Sequence, residues 1–469
     1  MQIPVLSGIV TDSAADFRTS YPVNLIPVSK GQGISAGYLR PADGIVASAA
    51  AGPGVSRGGI NWNGVCYRVM GTKLVSIASD LTVTTLGDVG AGGQAILDYS
   101  ADRLAVMSGG RLYYWDGAVL TQVVDVDLGT VVSFVWIDGY FLTTDGEYLI
   151  VTELADPMSV DPLKYGSSEI DPDPVVAVLK VRGEACAVNR HTIEFFQNIG
   201  GTGFPFQRIE GAQIQRGALG SFCAVVFGEA VAFLGSGRNE APGIYLGANG
   251  QSAKISTREI DTLLAGYTEA QLAAAVLEVR IGASQRVLWV RLSDRTLAYD
   301  AESSSAVGEP VWYQLASSAV ADTFTAYRAV DLVRCYDKWL VADPLSTAHG
   351  YLDDTLSSHW GADVRWEFGT QIIYNASRGA IIHELELVAL PGRVAFGDDP
   401  QIATSYSLDG MTWSTERTIR AGKSGERGKR LVWYRNGSMR NWRVQRFRGD
   451  SQAFVSFARL EAQLEPLGA

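Results

Sequence analysis

The residues best placed to do chemistry lie in KRLVWYRNGSMRNWRVQRFRGD, Lys429 to Asp450, where seven Lys/Arg precede the first carboxylate. Guanidinium forks at this density bind oxyanions, either the phosphates of a nucleic acid or the carboxylates of a protein. From Arg417 to Arg448 there are 11 Lys/Arg against the single acid Glu426, so the segment carries +10 while the rest of a chain of net charge -11 carries -21. The candidate contact residues are Arg427, Lys429, Arg430, Arg435, Arg440, Arg443, Arg446 and Arg448. Three uses compete: a solvated basic surface, a grip on DNA phosphates, and a salt-bridged contact with an acidic neighbouring subunit. The acidic remainder of the chain offers a ready partner for the last, which is the preferred reading.

Other chemistry is thinly represented. Cys66, Cys186, Cys223 and Cys335 are far apart, without a CxxC pair or a zinc spacing, and read as buried free thiols. His191, His349, His359 and His383 are equally scattered, so no metal and no cofactor is expected. The glycine clusters GPGVSRGG (Gly52 to Gly59) and GDVGAGGQ (Gly87 to Gln94) neither end in GK[ST] nor feed a helix, and read as turns. No histidine stands in a pattern that would couple it to a nucleophile. SLDGMTWS (Ser407 to Ser414) is close to the turn of sialidase-like propellers but occurs once, and reads as a hairpin in which Asp409 accepts turn amides. A glycosidase would need two carboxylates about 5 to 9 Å apart in a cleft, which spacing in sequence cannot show.

The basic stretch must be held by strands. Runs of Val, Ile, Tyr, Phe and Trp broken by Gly, Asn and Asp dominate the 469 residues. VSRGGINW, VCYRVMG, KLVSIAS and TVTTLGDV form one group of four; AILDYS, RLAVMSG, RLYYWDG and VLTQVVD repeat the layout, and VVSFVWIDG opens a third group. A period of about 40 residues with four short strands marks a β-propeller blade. Asn63-Gly64 and Gly109-Gly110 supply tight hairpin turns. The segment Ala155 to Pro174 contains four Asp-Pro pairs and is expected to be a loop projecting from the ring. STREIDTLLAGYTEAQLAAAVLEV predicts two short helices, with capping boxes at Ser256/Glu259 and Thr268/Gln271. The fold class is therefore all-β: a propeller of about six blades over 51–359, preceded by an arm over 1–50 that is expected to pack with the C-terminal domain. AYRAVDLVRCYDKWLVADPL is a remnant that could close the ring with an N-terminal strand. Residues 360–469 read as a separate antiparallel β-sandwich. There the basic stretch forms a hairpin around Asn436-Gly437-Ser438, with Trp442, Val444 and Phe447 inward, a bulge near Gln445 and Arg446, and Arg440, Arg443, Arg446 and Arg448 outward. The start, MQIPVLSGIVTDSAADF, lacks a basic n-region and an unbroken apolar run, and points to a soluble protein made in a cytoplasm.

YPVNLIPV, GYLRPADGI, GVSRGG with CYRVMGTKLVSI, QRGALGSFC, AFLG, ISTREIDTLLAGYTEAQLAAAVLE, PVWYQL and KRLVWYRNGSMRNWRVQRFR, in this order, resemble the tail hub or nozzle proteins of short-tailed phages, the packaged-DNA stabilisation family. The resemblance implies a non-enzymatic virion component that works as a homo-hexamer. It implies a portal adaptor as one partner and a tailspike or tail needle as another, with double-stranded DNA passing through the channel without sequence-specific binding. IVASAAAGPG and the Asp-Pro segment match nothing in the family. Two rivals are a carbohydrate-active propeller enzyme of a phage tail, which requires Asp/Glu, Arg and aromatic residues clustered on the propeller axis, and a bacterial propeller adaptor.

Overall fold

The computed structural model describes residues 2–3, 22–30, 35, 37–154, 156–283, 285–318, 324–375 and 378–467. Most of the MQIPVLSGIVTDSAADF start, and Tyr21 of YPVNLIPV, lie outside the described residues.

Among these residues, seven antiparallel sheets of four or five strands follow one another from Gly44 to Asp353. Their innermost strands, Ser56–Trp62, Ile96–Tyr99, Ser133–Ile137, Val175–Val181, Ala224–Phe227, Val276–Ile281 and Val330–Cys335, lie side by side, and the last returns to the first. That closed circuit is a seven-bladed propeller. The first two groups of four runs form the first two blades. Asn63 (φ 51°) and Gly64 (φ 78°) adopt the left-handed backbone that lets Trp62 pair directly with Val65.

The ring has one blade more than the expected six because the seventh is split between distant parts of the chain. Val330–Cys335, Lys338–Ala342 and His349–Asp353 supply three strands, and Gly44–Ala47 supplies the outermost, with Gly44 opposite Asp353. Closing the ring with both ends of the propeller segment ties the last blade to the first by backbone hydrogen bonds.

Two further differences have local causes. The Asp-Pro segment contains a strand, Val160–Ser167, on the outside of the third blade. Pro162 is tolerated there because an edge strand needs ladder bonds on one side only. A third helix, Ala301–Val307, follows the sixth blade's third strand; the Asp300 carboxylate accepts from the Glu302 and Ser303 amides and Gly308 (φ 85°) ends the helix. In the expected pair, the Thr268/Gln271 capping box is formed, whereas Thr257 rather than Ser256 precedes Arg258–Leu264 and makes no side-chain cap.

The C-terminal sandwich has two sheets. The first runs Leu25–Ser29, Gly37–Pro41, Ser456–Glu465, Ala380–Leu390, Leu431–Tyr434; the second runs Arg365–Gly369, Trp442–Asp450, Gln401–Ser407, Arg417–Arg420. Trp366, Phe368, Trp433, Phe447 and Phe457 fill the space between them, with Phe368 and Phe447 stacked at 5.2 Å.

The arm belongs to both bodies. Along Leu25–Ser29, Leu25 enters the sandwich core while Ile26 enters the propeller core beside Trp289 and Tyr313, because alternate side chains of a strand point to opposite faces. Just before it, Val23 exchanges backbone hydrogen bonds with Glu367 of the sandwich, and Asn24 donates to the Gln314 carbonyl of the sixth blade (2.9 Å). The Asn24 side chain repeats the bridge, donating to the Arg365 carbonyl (2.7 Å) and accepting from the Ala316 amide (2.8 Å). The sandwich is thereby held on the side of the sixth and seventh blades.

Candidate functional site

The basic stretch is not a hairpin. Leu431–Tyr434 and Ser438–Met439 pair with Ala380–Leu390 in the first sheet, whereas Trp442–Asp450 pairs with Gln401–Ser407 and Arg365–Gly369 in the second. The chain thus turns at Asn436-Gly437 within the first sheet and crosses to the second at Arg440-Asn441. No bulge interrupts Val444 to Arg448, so simple alternation puts Arg443, Gln445 and Phe447 on one face; Val444, on the other, is buried as expected, and Trp442 is half-buried. Arg443, expected outward, is buried. It donates to the Asn436 carbonyl (2.7 Å) and to Gln445 Oε1, and stacks on Tyr406 at 4.1 Å. Burial pulls its guanidinium down to about 10, against the opposing effect of Tyr406.

The remaining cations divide into two sets. Lys429 faces Glu426 at 3.7 Å, Arg430 is clamped by Glu386 and Glu384, and Arg448 sits between Glu367 and Glu416. Arg446 lies over Trp413 at 4.1 Å and donates to Ser405 Oγ. Arg427, Arg435 and Arg440 are exposed and, among the described residues, have no ion-pair partner. They follow the outer edge of the first sheet: Arg440 succeeds Met439, which pairs with Ala380, the Arg435 amide bonds the His383 carbonyl, and the Arg427 amide lies beside Gly392. Arg417, absent from the expected set, holds the two sheet edges together by donating to the Arg435 carbonyl (3.0 Å) and Asn436 Oδ1 (3.0 Å). Its position before the stretch gave no sign of this, since the bond depends on the sheet crossing.

A second feature sits on the propeller axis, a cavity of about 590 Å³ lined by the innermost strands. Asp98, Glu278 and Asp331 reach it with Trp136, Tyr99 and Lys180. Each carboxylate joins neighbouring blades. Asp98 of the second blade accepts the Trp136 amide of the third (2.6 Å), Glu278 of the sixth accepts the Leu332 amide of the seventh (3.0 Å), and Asp331 accepts from Ser56 and Gln94 (2.6 Å each). Ser133 does the same for Val178. An innermost strand has no ladder partner on its axial side, and Asp98, Glu278 and Ser133 satisfy amides there, while Asp331 ties side chains together. Burial raises Asp98 above the ordinary carboxylate range and also raises Glu278, despite Arg291 at 3.0 Å. The signal was legible: Asp98 and Trp136 are 38 residues apart, about one repeat.

The glycine clusters pack on each other. Arg57, in the first, donates to the Gly90 (2.9 Å) and Gly93 (2.6 Å) carbonyls of the second. Asp409 of SLDGMTWS accepts the Met411 (2.8 Å) and Thr412 (2.7 Å) amides. All four cysteines are buried. Among the described residues no group of three His, Cys, Asp or Glu is arranged to hold a metal ion, and no helix is long and apolar enough to cross a membrane.

Residues 1–357 match the family model described as Bacteriophage P22 Gp10, beta-propeller, and residues 365–465 match that for Bacteriophage P22 Gp10, beta-sandwich. The chain belongs to the P22 Gp10 family. Over 486 aligned residues it is 26% identical to the tail hub protein gp10 of Salmonella phage P22, covering 99% of both chains. Membership in this short-tailed phage tail hub family makes it a structural protein of a phage tail. Among solved structures it is similar to PorZ of Porphyromonas gingivalis (TM-score 0.40, 9% identity, 80% of this chain and 46% of that one) and to the N-terminal domain of Nup159 (TM-score 0.41, 9% identity, 75% and 99%).

Proposed function

We propose that the protein is the hexameric hub of a phage tail, assembled in the host cytoplasm beneath the portal and its adaptor. It extends the DNA channel, retains the packaged genome and anchors a tailspike or needle. The observation that carries this reading is the relationship to a tail hub protein along the full length of both chains, with propeller and sandwich in the same order. A net charge of -11 suits a conduit, because DNA phosphates held by many cations would slow ejection. In the basic stretch, Arg427, Arg435 and Arg440 serve a contact with a neighbouring subunit, and Arg443 serves the fold.

The test is cryo-EM of the virion, with six copies expected below the adaptor. Any other copy number, or absence of the chain from tails, overturns the reading. A carbohydrate-active enzyme is the alternative favoured by Asp98, Glu278 and Asp331 beside Trp136 and Tyr99 on the axis. The blade-joining hydrogen bonds of those carboxylates support a structural use, and no turnover of host polysaccharide is expected. Turnover abolished by Asp98→Asn or Glu278→Gln in a folded protein would establish the alternative.

A further inference from the structure

The exposed cations of the sandwich have a counterpart at the other end of the same chain. Residues 116–173, running from the second blade through the third, hold 12 Asp/Glu and one base, Lys164. Glu153 takes Lys164 and Asp171 takes Arg238. Among the described residues, Asp138, Asp145, Glu147, Asp156, Asp161 and Glu169 have no ion-pair partner. Crowding uncompensated carboxylates onto one blade costs self-repulsion, which a cationic partner relieves.

The two surfaces lie at opposite poles. In a ring of seven, the third blade faces the sixth and seventh, which carry the sandwich. The sandwich meets the propeller through Leu25–Ser29 and Arg365–Gly369, the edges opposite Leu431–Tyr434 and Arg417–Arg420 in their sheets. The basic edge therefore points away from the propeller, and one chain cannot bring its poles together.

Both poles also expose large apolar side chains. On the outer third blade, Val126 is 89% exposed and Leu163 86%; the turn carrying Val126 is tied to the strand carrying Leu163 by the Val160 amide, which donates to Asp125 (3.0 Å). At the basic edge, Tyr434, next to Arg435, is 57% exposed. Apolar anchors within a charged surround are how protein interfaces are built, whereas a phosphate backbone offers nothing to Tyr434 or Leu163.

We propose that the basic sandwich edge of one copy docks on the acidic outer rim of the third blade of the next. This rests on the ring reading above and names its subunit contact. A head-to-tail contact between different surfaces closes into a ring when its rotation allows.

Charge reversal tests it in both directions. Arg427→Glu/Arg435→Glu/Arg440→Glu should lower incorporation into tails by roughly tenfold or more, with the free chain's melting temperature unchanged. Glu147→Lys/Asp156→Lys/Asp161→Lys should do the same. Expressed together, the two variants should restore incorporation, because every contact in an alternating ring again joins opposite charges. Wild-type incorporation of either variant, or failure of the pair to rescue, overturns the proposal. A zero-length carbodiimide cross-linker on assembled tails should join Lys423 or Lys429 of one copy to Glu147, Asp156 or Asp161 of another. Cross-links from those lysines only to a different tail protein also overturn it. Absence of the wild-type chain from tails would instead count against the hub reading, and the same cross-link in concentrated purified protein reads the contact without a tail.

Discussion

Arg443 sits with its guanidinium inside the sandwich, bonded to the Asn436 carbonyl and Gln445 and, among the described residues, facing no carboxylate. Arg443→Met would leave those acceptors unsatisfied at the point where the chain changes sheets, so a loss of roughly 2–4 kcal/mol is expected in chemical denaturation. Arg427→Ala, at an exposed site without an ion pair among the described residues, should stay within about 0.5 kcal/mol of the parent. Equal effects of the two would show that burial does not separate them. His359 gives the molecule an acid-sensitive point. Burial, reinforced by Arg328, pulls its imidazole down to about 3 from an ordinary 6.5, so the folded chain keeps it neutral where the unfolded chain is protonated. Unfolding then takes up a proton, and stability falls as pH drops from about 6.5 towards 3, by on the order of 1 kcal/mol per pH unit. His359→Gln should flatten that slope in denaturation curves; an unchanged slope would place the acid sensitivity elsewhere.

At the scale of elements, the arm is what makes propeller and sandwich one body. A chain beginning at Gly44 keeps the outer strand of the seventh blade but loses Val23, Asn24, Leu25 and Leu39, and, with Gln2–Ile3, three strands of the sandwich. Its propeller should still melt cooperatively while the sandwich becomes protease-sensitive. A chain beginning at Val55 also loses Gly44–Ala47, and its propeller transition should drop in temperature as well, since the seventh blade is left with three strands. Calorimetry and limited proteolysis of the two truncations separate these roles. A Gly44 chain that melts as one unit at the parent temperature would mean that the arm is not the joint.

The whole molecule is electrically lopsided, acidic on the third blade and basic along the far edge of the sandwich, within a net charge of -11. Free protein should therefore bind duplex DNA weakly at physiological salt, because like charge opposes approach and only a few cations are available to release counterions. Tight binding by fluorescence anisotropy at 150 mM salt, lost on reversing Arg427, Arg435 and Arg440, would turn the basic edge into a DNA contact. Virions carrying the same reversals, with complete tails and leaking genomes, would say the same.

The repeat of strands and turns was legible because each hairpin is local: Asn63-Gly64 sets a register that no distant residue has to confirm. That a sandwich accompanies the propeller was visible for the same reason, as was the charge asymmetry, which is a property of composition. The seventh blade's full membership and the two-sided burial of Leu25–Ser29 were decided by partners far away in the chain, whereas Val160–Ser167 pairs with the nearby Tyr148–Thr152 and was hidden by its Asp-Pro pairs. The basic stretch shows the limit most clearly. Two adjacent runs around Asn-Gly look like a hairpin, but each run found a better partner in a different sheet, and the pairing sent Arg443 into the core while leaving Arg435 and Arg440 in solvent. Sequence determines which side chains carry charge; strand pairing across tens of residues determines which of those charges remain free to meet a partner.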